Sequence, residues 1–164
     1  MVLSVAADTK DGGARLPQGA RRSVTILGST GSIGCSTLDL ISRDRESFDL
    51  VALTAHRNVA ALVAQAKEFR PRLAVIADEA HLGALKEGLA GTGVEAAAGQ
   101  AAIVEAAARP ADWVMAGIVG AAGLAPTLAA VRRGAHVALA KKDCRVSAGQ
   151  LFLAEVRESG ARRL

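Results

Sequence analysis

Residues 28–34 read Gly28-Ser29-Thr30-Gly31-Ser32-Ile33-Gly34, placing a glycine at every third position directly after the apolar run Val24-Thr25-Ile26-Leu27. That pattern suits phosphate chemistry. Gly28 permits a tight turn, Gly31 lets a pyrophosphate approach the backbone, and Gly34 allows a following helix to pack closely on a strand. A helix starting here presents free N–H groups and about half a positive charge to an anion. Thr30 and Ser32 add hydroxyl donors. The spacing is G-x-x-G-x-x-G rather than the dinucleotide fingerprint G-x-G-x-x-G, and an ordinary glycine turn has the same spacing. Its place between a strand and a helix favours a nucleotide. No Lys-Ser/Thr pair follows the last glycine, which excludes a Walker loop.

Three further regions have residue types suited to the same ligand. Thr54-Ala55-His56-Arg57-Asn58 follows a second apolar run. An NAD site places an acid near such a strand end to bind the ribose 2′-hydroxyl. Here His56 and Arg57 stand in its place, and a guanidinium suits a 2′-phosphate, so NADP(H) is favoured over NAD. A solvated arginine at a helix start is the plainer alternative. Residues 117–124, Gly117-Ile118-Val119-Gly120-Ala121-Ala122-Gly123-Leu124, form a small-residue loop that either lets a cofactor's nicotinamide side come close or simply packs tightly. Lys141-Lys142-Asp143 follows the last apolar run and either holds an anion or is a solvated loop. His81 and His136 have no partners at ligand spacing and read as structural or exposed. No Ser/His/Asp set and no acidic metal pattern is present.

These residues need elements to position them. Strand-like runs at 24–27, 48–55, 73–77, 113–116 and 137–140 alternate with helical segments at 32–42, 58–69, 78–89, 100–108, 124–134 and 147–159, and residues 93–99 hold a short strand or irregular turn. Asn58 and Asp78 are placed to cap helices, and Val59, Leu62, Val63, Ala66 and Phe69 follow the helical period until Pro71. The strand runs are apolar throughout rather than alternating, which indicates a parallel sheet covered on both faces. The predicted architecture is α/β, a Rossmann-type doubly wound, mostly parallel sheet with ligands at the carboxyl ends of the strands.

Composition narrows the function classes. Half of the 164 residues are apolar, about a fifth are charged, and the aromatics are Phe48, Phe69, Phe152 and Trp113 alone, which argues against base stacking on nucleic acid. The net charge is +4, but half of it falls in the first 22 residues, where Lys10, Arg15, Arg21 and Arg22 face Asp8 and Asp11. The remainder alternates in sign, so no nucleic-acid footprint is expected. Cys35 and Cys144 stand far apart and read as free thiols of a reducing compartment. No apolar stretch is long enough for a membrane span. Residues 1–22 lack a signal-peptide core and read as a flexible arm, leaving 23–164 as one domain in the cytoplasm.

Residues 23–164 resemble the 1-deoxy-D-xylulose 5-phosphate reductoisomerase family. The resemblance is carried by TILGSTGSIGCSTLDL, by LTAHRNV and, most specifically, by GIVGAAGLAPTLAAVRRGAHVALA. It implies a Rossmann-type NADPH-binding domain of a homodimeric enzyme. That enzyme uses Mg²⁺ or Mn²⁺ to rearrange a phosphorylated sugar, then reduces it to 2-C-methyl-D-erythritol 4-phosphate in the non-mevalonate route to isoprenoids. Carried over by motif, Thr30, Gly31, Ser32 and Ile33 bind the cofactor pyrophosphate, and His56, Arg57 and Asn58 the adenosine ribose phosphate.

Two departures qualify the resemblance. The family usually reads A-N-K-E-S-L-V where this chain has Ala140-Lys141-Lys142-Asp143-Cys144-Arg145-Val146. Lys142 keeps the family lysine near the substrate. Lys141 replaces an asparagine beside the nicotinamide ribose, Asp143 shortens a glutamate, and Arg145 brings a charge where the family has leucine. Second, the family's metal ligands, substrate phosphate site, closing loop and C-terminal domain lie beyond these 164 residues. The expectation is therefore a cofactor domain that does not turn over by itself, since isomerisation needs the metal. The alternatives are another NADP-dependent reductase, for whose catalytic cysteine Cys35 and Cys144 are poorly placed, and a non-catalytic nucleotide-binding or interaction module from a degenerate gene copy.

Overall fold

The structure is a computed structural model that describes residues 3–7, 21–139 and 161–163. Its chain runs β1 (Leu3–Ala7), β2 (Arg22–Leu27), α1 (Ser32–Ser42), β3 (Phe48–Ala55), α2 (Val59–Phe69), β4 (Leu73–Ile76), α3 (Leu82–Gly88), β5 (Glu95–Ala98), α4 (Gln100–Ala108), β6 (Trp113–Ala116), α5 (Leu124–Arg132), β7 (His136–Leu139) and β8 (Ala161–Arg163). A short 3₁₀ turn over Glu79–His81 precedes α3.

The apolar runs do form the strands. β2, β3 and β4 are buried along nearly their whole lengths, as strands covered on both faces must be. Six strands pair in parallel in the order β5-β4-β3-β2-β6-β7. The chain thus works outward from β2 through β3, β4 and β5, then returns to β2's other side for β6 and β7. The point where the order reverses lies between β2 and β6, and a crevice opens there at the carboxyl ends of the strands.

Two aliphatic cores lie on the two faces. Leu38 and Ile41 of α1, Leu62, Ala66 and Phe69 of α2 and Leu85 of α3 pack on Val24, Ile26, Leu50 and Leu53. Ile103, Ala106 and Ala107 of α4 and Ala130 and Val131 of α5 pack on Leu27, Ala52, Val75 and Val114. Most helices start where the sequence places them, but the one expected over 78–89 opens as the 3₁₀ turn and becomes α-helical only at Leu82. Asn58 caps α2, its Oδ1 accepting from the Ala61 N–H at 3.1 Å. Arg70 ends α2 in the left-handed region, with φ 50, just before Pro71.

The arm predicted over residues 1–22 is corrected in its described parts. Leu3–Ala7 is a strand, antiparallel to β7, with β8 antiparallel on its outer side, and Arg22 already belongs to β2. The physical reason is the edge: uncovered, β7 would present a row of unpaired N–H and C=O groups. The final strand expected at 137–140 is observed one residue earlier, at His136–Leu139. The helix predicted over residues 147–159 lies outside the described residues.

Candidate functional site

The glycine turn lies in the crevice between β2 and β6. Gly28 adopts φ +79, and a Cβ built there would sit 3.0 Å from the Gly117 carbonyl carbon and oxygen, so only glycine lets the turn pass the end of β6. A Cβ at Gly34 would fall 2.4 Å from both the Gly28 oxygen and the Ser29 Cα. The first turn of α1 therefore lies directly against the loop that leads into it. β3 supports the turn from the side. Thr54 is buried, its Oγ1 accepts from the Gly28 N–H at 2.9 Å, and its carbonyl accepts from the Ser29 N–H at 2.7 Å.

α1 begins at Ser32 with Gly31 as its cap residue, and no side chain caps it and no acid stands in its first turn. Its N-terminal donors and the positive end of its dipole are consequently available to an anion. Thr30 and Gly31 line a cleft of about 570 Å³ whose other walls include His56, Gln100, Ile118 and Val119. Gln100 closes the far side, its Nε2 donating to the Ala122 carbonyl at 3.1 Å. The small-residue loop after β6 thus forms a wall of the same cleft as the glycine turn.

His56, Arg57 and Asn58 follow β3 at the rim, all exposed. The Asn58 carboxamide oxygen is the α2 cap, so this residue has a structural task as well as the predicted one. Arg57 Nε lies 3.1 Å from Asp78 Oδ2, and His81 Nδ1 lies 3.6 Å from the same oxygen, an ion-pair contact when the imidazole is protonated. The Ala80 N–H donates to Asp78 Oδ1 at 3.1 Å. That backbone bond is the main cause that holds the Asp78 carboxyl below its ordinary range; the charges of His81 and Arg57 add to it, and partial burial opposes them.

Sequence reasoning placed no acid beside Arg57, and none follows β3 itself. Asp78 arrives from β4, the next parallel strand, where Asp78 N donates to the His56 carbonyl at 3.1 Å. The signal available was the pairing of equivalent strand ends, Arg57 just past β3 and Asp78 just past β4. Lys141, Lys142, Asp143, Cys144 and Arg145 lie outside the described residues. Cys35 is an exposed free thiol, and His136 stacks on Trp113 with ring centroids 5.0 Å apart, far from the cleft. Among the described residues no group of three or more His, Cys, Asp or Glu side chains is gathered as a metal site. Nor is any helix among them long and apolar enough to cross a membrane.

A mostly parallel, doubly wound sheet with a glycine turn and an uncapped helix at its switch point defines a Rossmann-type domain. The comparisons with known proteins then give the family. The family model described as 1-deoxy-D-xylulose 5-phosphate reductoisomerase matches residues 24–149, and the chain belongs to that family. It is 61% identical over 161 residues to the 1-deoxy-D-xylulose 5-phosphate reductoisomerase of Rhodospirillum centenum, covering 98% of this chain and 39% of that one. With the enzyme of Rhodopseudomonas palustris it shares 57% over 140 residues, 34% of that protein's length. The chain thus spans little more than a third of the curated relatives it matches. Among solved structures, the reductoisomerase from Zymomonas mobilis in complex with NADPH superposes with a TM-score of 0.83 at 56% identity, covering 85% of this chain and 37% of that one. A reductoisomerase in complex with NADPH, fosmidomycin and magnesium superposes with a TM-score of 0.80 at 37% identity, covering 85% and 35%.

Proposed function

We propose that this chain binds NADPH as the cofactor domain of a 1-deoxy-D-xylulose 5-phosphate reductoisomerase. The observation that carries the reading is the pairing, across one cleft, of an uncapped α1 N-terminus behind the glycine turn with Arg57 at the rim. The first suits a pyrophosphate and the second a ribose 2′-phosphate. The solved relative with NADPH supports the same assignment. Gly28, Thr30, Gly31, Ser32, Ile33 and Gly34 hold the pyrophosphate, and His56, Arg57 and Asn58 the adenosine ribose phosphate. By the family motif, Lys141 and Asp143 are assigned to the cofactor and Lys142 to the substrate.

NADPH supplies the hydride when bound; the protein supplies position and field. Thr54 holds the turn through Gly28, and the α1 N-terminus faces the diphosphate charge. The magnesium named with solved relatives finds no matching ligand set among the described residues, so no metal step is assigned to them. The complete enzyme converts its phosphorylated sugar to 2-C-methyl-D-erythritol 4-phosphate as a cytoplasmic homodimer, with no nucleic-acid or membrane partner.

Calorimetric titration of the purified chain with NADPH, NADH and ATP tests this. NADPH binds tightest. Arg57→Ala weakens it about thirtyfold, the loss of charge-assisted bonds to one phosphate, and leaves NADH unchanged. Equal affinities for NADPH and NADH, or no nucleotide binding, would overturn the proposal.

A further inference from the structure

We propose that Gln65, on α2 and outside the cleft lining, is a positioning residue for the cofactor: it holds the Ser29 carbonyl so that the Thr30 N–H is presented to the pyrophosphate. The inference rests on the NADPH reading above.

Ser29 is fully buried between the glycine turn and α2. Gln65 bonds it in both directions. Ser29 Oγ donates to Gln65 Oε1 at 2.8 Å, and Gln65 Nε2 donates to the Ser29 carbonyl at 3.0 Å. The hydroxyl has one proton and a second acceptor, the Thr54 carbonyl at 3.2 Å, so without Gln65 it can turn to Thr54. The carbonyl has no comparable substitute. Among the described residues the only other donor near it is the Cys35 thiol at 3.7 Å, a weak one. The bond from Nε2 is therefore the one that cannot be replaced.

That bond reaches the site through the peptide plane. In a trans peptide the C=O and the following N–H point in opposite directions, and no peptide here is cis. Drawing the Ser29 carbonyl toward α2 directs the Thr30 N–H away from it. Thr30 lines the cleft, and its N–H donates to no backbone acceptor among the described residues. Gln65 also ties the turn to the helix whose N-terminal end follows His56, Arg57 and Asn58. One rigid element thereby sets the distance between the two phosphate-binding parts of the site.

Gln65→Met keeps length and helix propensity but removes the donor. Titration of the chain with NADPH and NADH is expected to show about tenfold weaker binding of both, with their ratio unchanged, as the loss of one partly buried hydrogen bond predicts. Amide exchange at residues 28–31 of the free protein quickens. Ser29→Ala, which leaves the Ser29 carbonyl and its donor in place, changes either affinity by less than about twofold. A wild-type chain that binds neither nucleotide would overturn the NADPH reading and this one with it. Wild-type binding with unchanged affinities in Gln65→Met would overturn this one alone, even if the melting temperature fell. A loss in Ser29→Ala as large as in Gln65→Met would overturn the route through the carbonyl.

Discussion

The two ends of the same parallel sheet are finished differently. At the amino ends, side chains satisfy one another. Ser23 N and Oγ both donate to Asp112 Oδ2 at 2.9 Å, and Asp112 N donates back to Ser23 Oγ at 2.8 Å, tying the starts of β2 and β6. Arg72 pairs with Asp49, and the Arg45 guanidinium lies 4.5 Å from the centre of the Phe69 ring. Arg133 Nη2 donates to the Ala111 carbonyl at 3.0 Å. At the carboxyl ends the helices begin, and α1, α4 and α5 start on Gly31, Gly99 and Gly123 with no side-chain cap. Among the described residues only α2 and the short turn before α3 are capped, by Asn58 and Asp78. Parallel topology gathers the helix N-termini at one end, and at α1 the glycine turn leaves the first donors open beside the cleft. One end holds the sheet together, and the other leaves the α1 N-terminus uncapped at a cleft.

Substitutions at the carboxyl end should therefore reach binding, and substitutions at the amino end stability alone. The largest effect is expected for Gly34→Ala. Its Cβ would fall 2.4 Å from backbone atoms of Gly28 and Ser29, which cannot swing aside as a side chain would. The turn must move off α1, so stability falls by about 3 kcal/mol. NADPH affinity falls by about a hundredfold or more as the donors lose alignment. Denaturant unfolding and calorimetry measure the two. Wild-type affinity in Gly34→Ala would break the link between helix contact and site.

Asp112→Ala should show the converse. It strips the acceptor from Ser23 N and Oγ and removes the carboxylate beside Arg133, whose buried Nε has no hydrogen-bond partner among the described residues. Burial already pushes the Arg133 guanidinium down, and the Asp112 charge is what opposes that shift. The cost is about 2 kcal/mol in unfolding free energy, with NADPH affinity unchanged. A shift in affinity would mean that the two ends are coupled through β2 and β6.

How much of this was legible depends on how local each feature is. The glycine turn, the β3 end and the apolar strands are continuous stretches, and burial on both faces writes such strands as unbroken apolar runs that need no partner to be recognised. Features made by register were hidden. Asp78 reaches Arg57 only because β3 and β4 are neighbours, and Gln65 reaches Ser29 across 36 residues of chain. Leu3–Ala7 looked like an arm because its partner is β7, more than 130 residues away. Polar residues joined by tertiary bonds look in the sequence like any solvated residue.

A smaller effect is expected for Thr25→Val, in the middle of β2. Thr25 is fully buried, and its Oγ1 has no hydrogen-bond partner among the described residues. Valine keeps the shape and removes the unsatisfied hydroxyl, so the chain gains about 1 kcal/mol of stability by urea unfolding. Because Thr25 lies between the two ends, affinity for NADPH stays as it was. A loss of stability would show that the hydroxyl has a partner in solution.

The smallest effect concerns Asp78, the acid paired with Arg57. The Asp78 carboxyl is held below its ordinary value of 3.8, first by the Ala80 N–H and then by His81 and Arg57. A depressed carboxylate contributes stability above its unfolded pKa, and that contribution disappears as pH falls through the folded value. Asp78 is therefore charged, and paired with Arg57, throughout the neutral range, and the pair opens only in acid. A carbon-detected titration of its carboxyl should show a midpoint below 3.8. Arg57→Ala should raise that midpoint only in part, because the largest cause is the backbone bond and remains. A full return to the ordinary value would instead make Arg57 the chief partner of Asp78. A 2′-phosphate would then compete with the carboxylate for the guanidinium, and NADPH binding would weaken the depression in the wild-type chain.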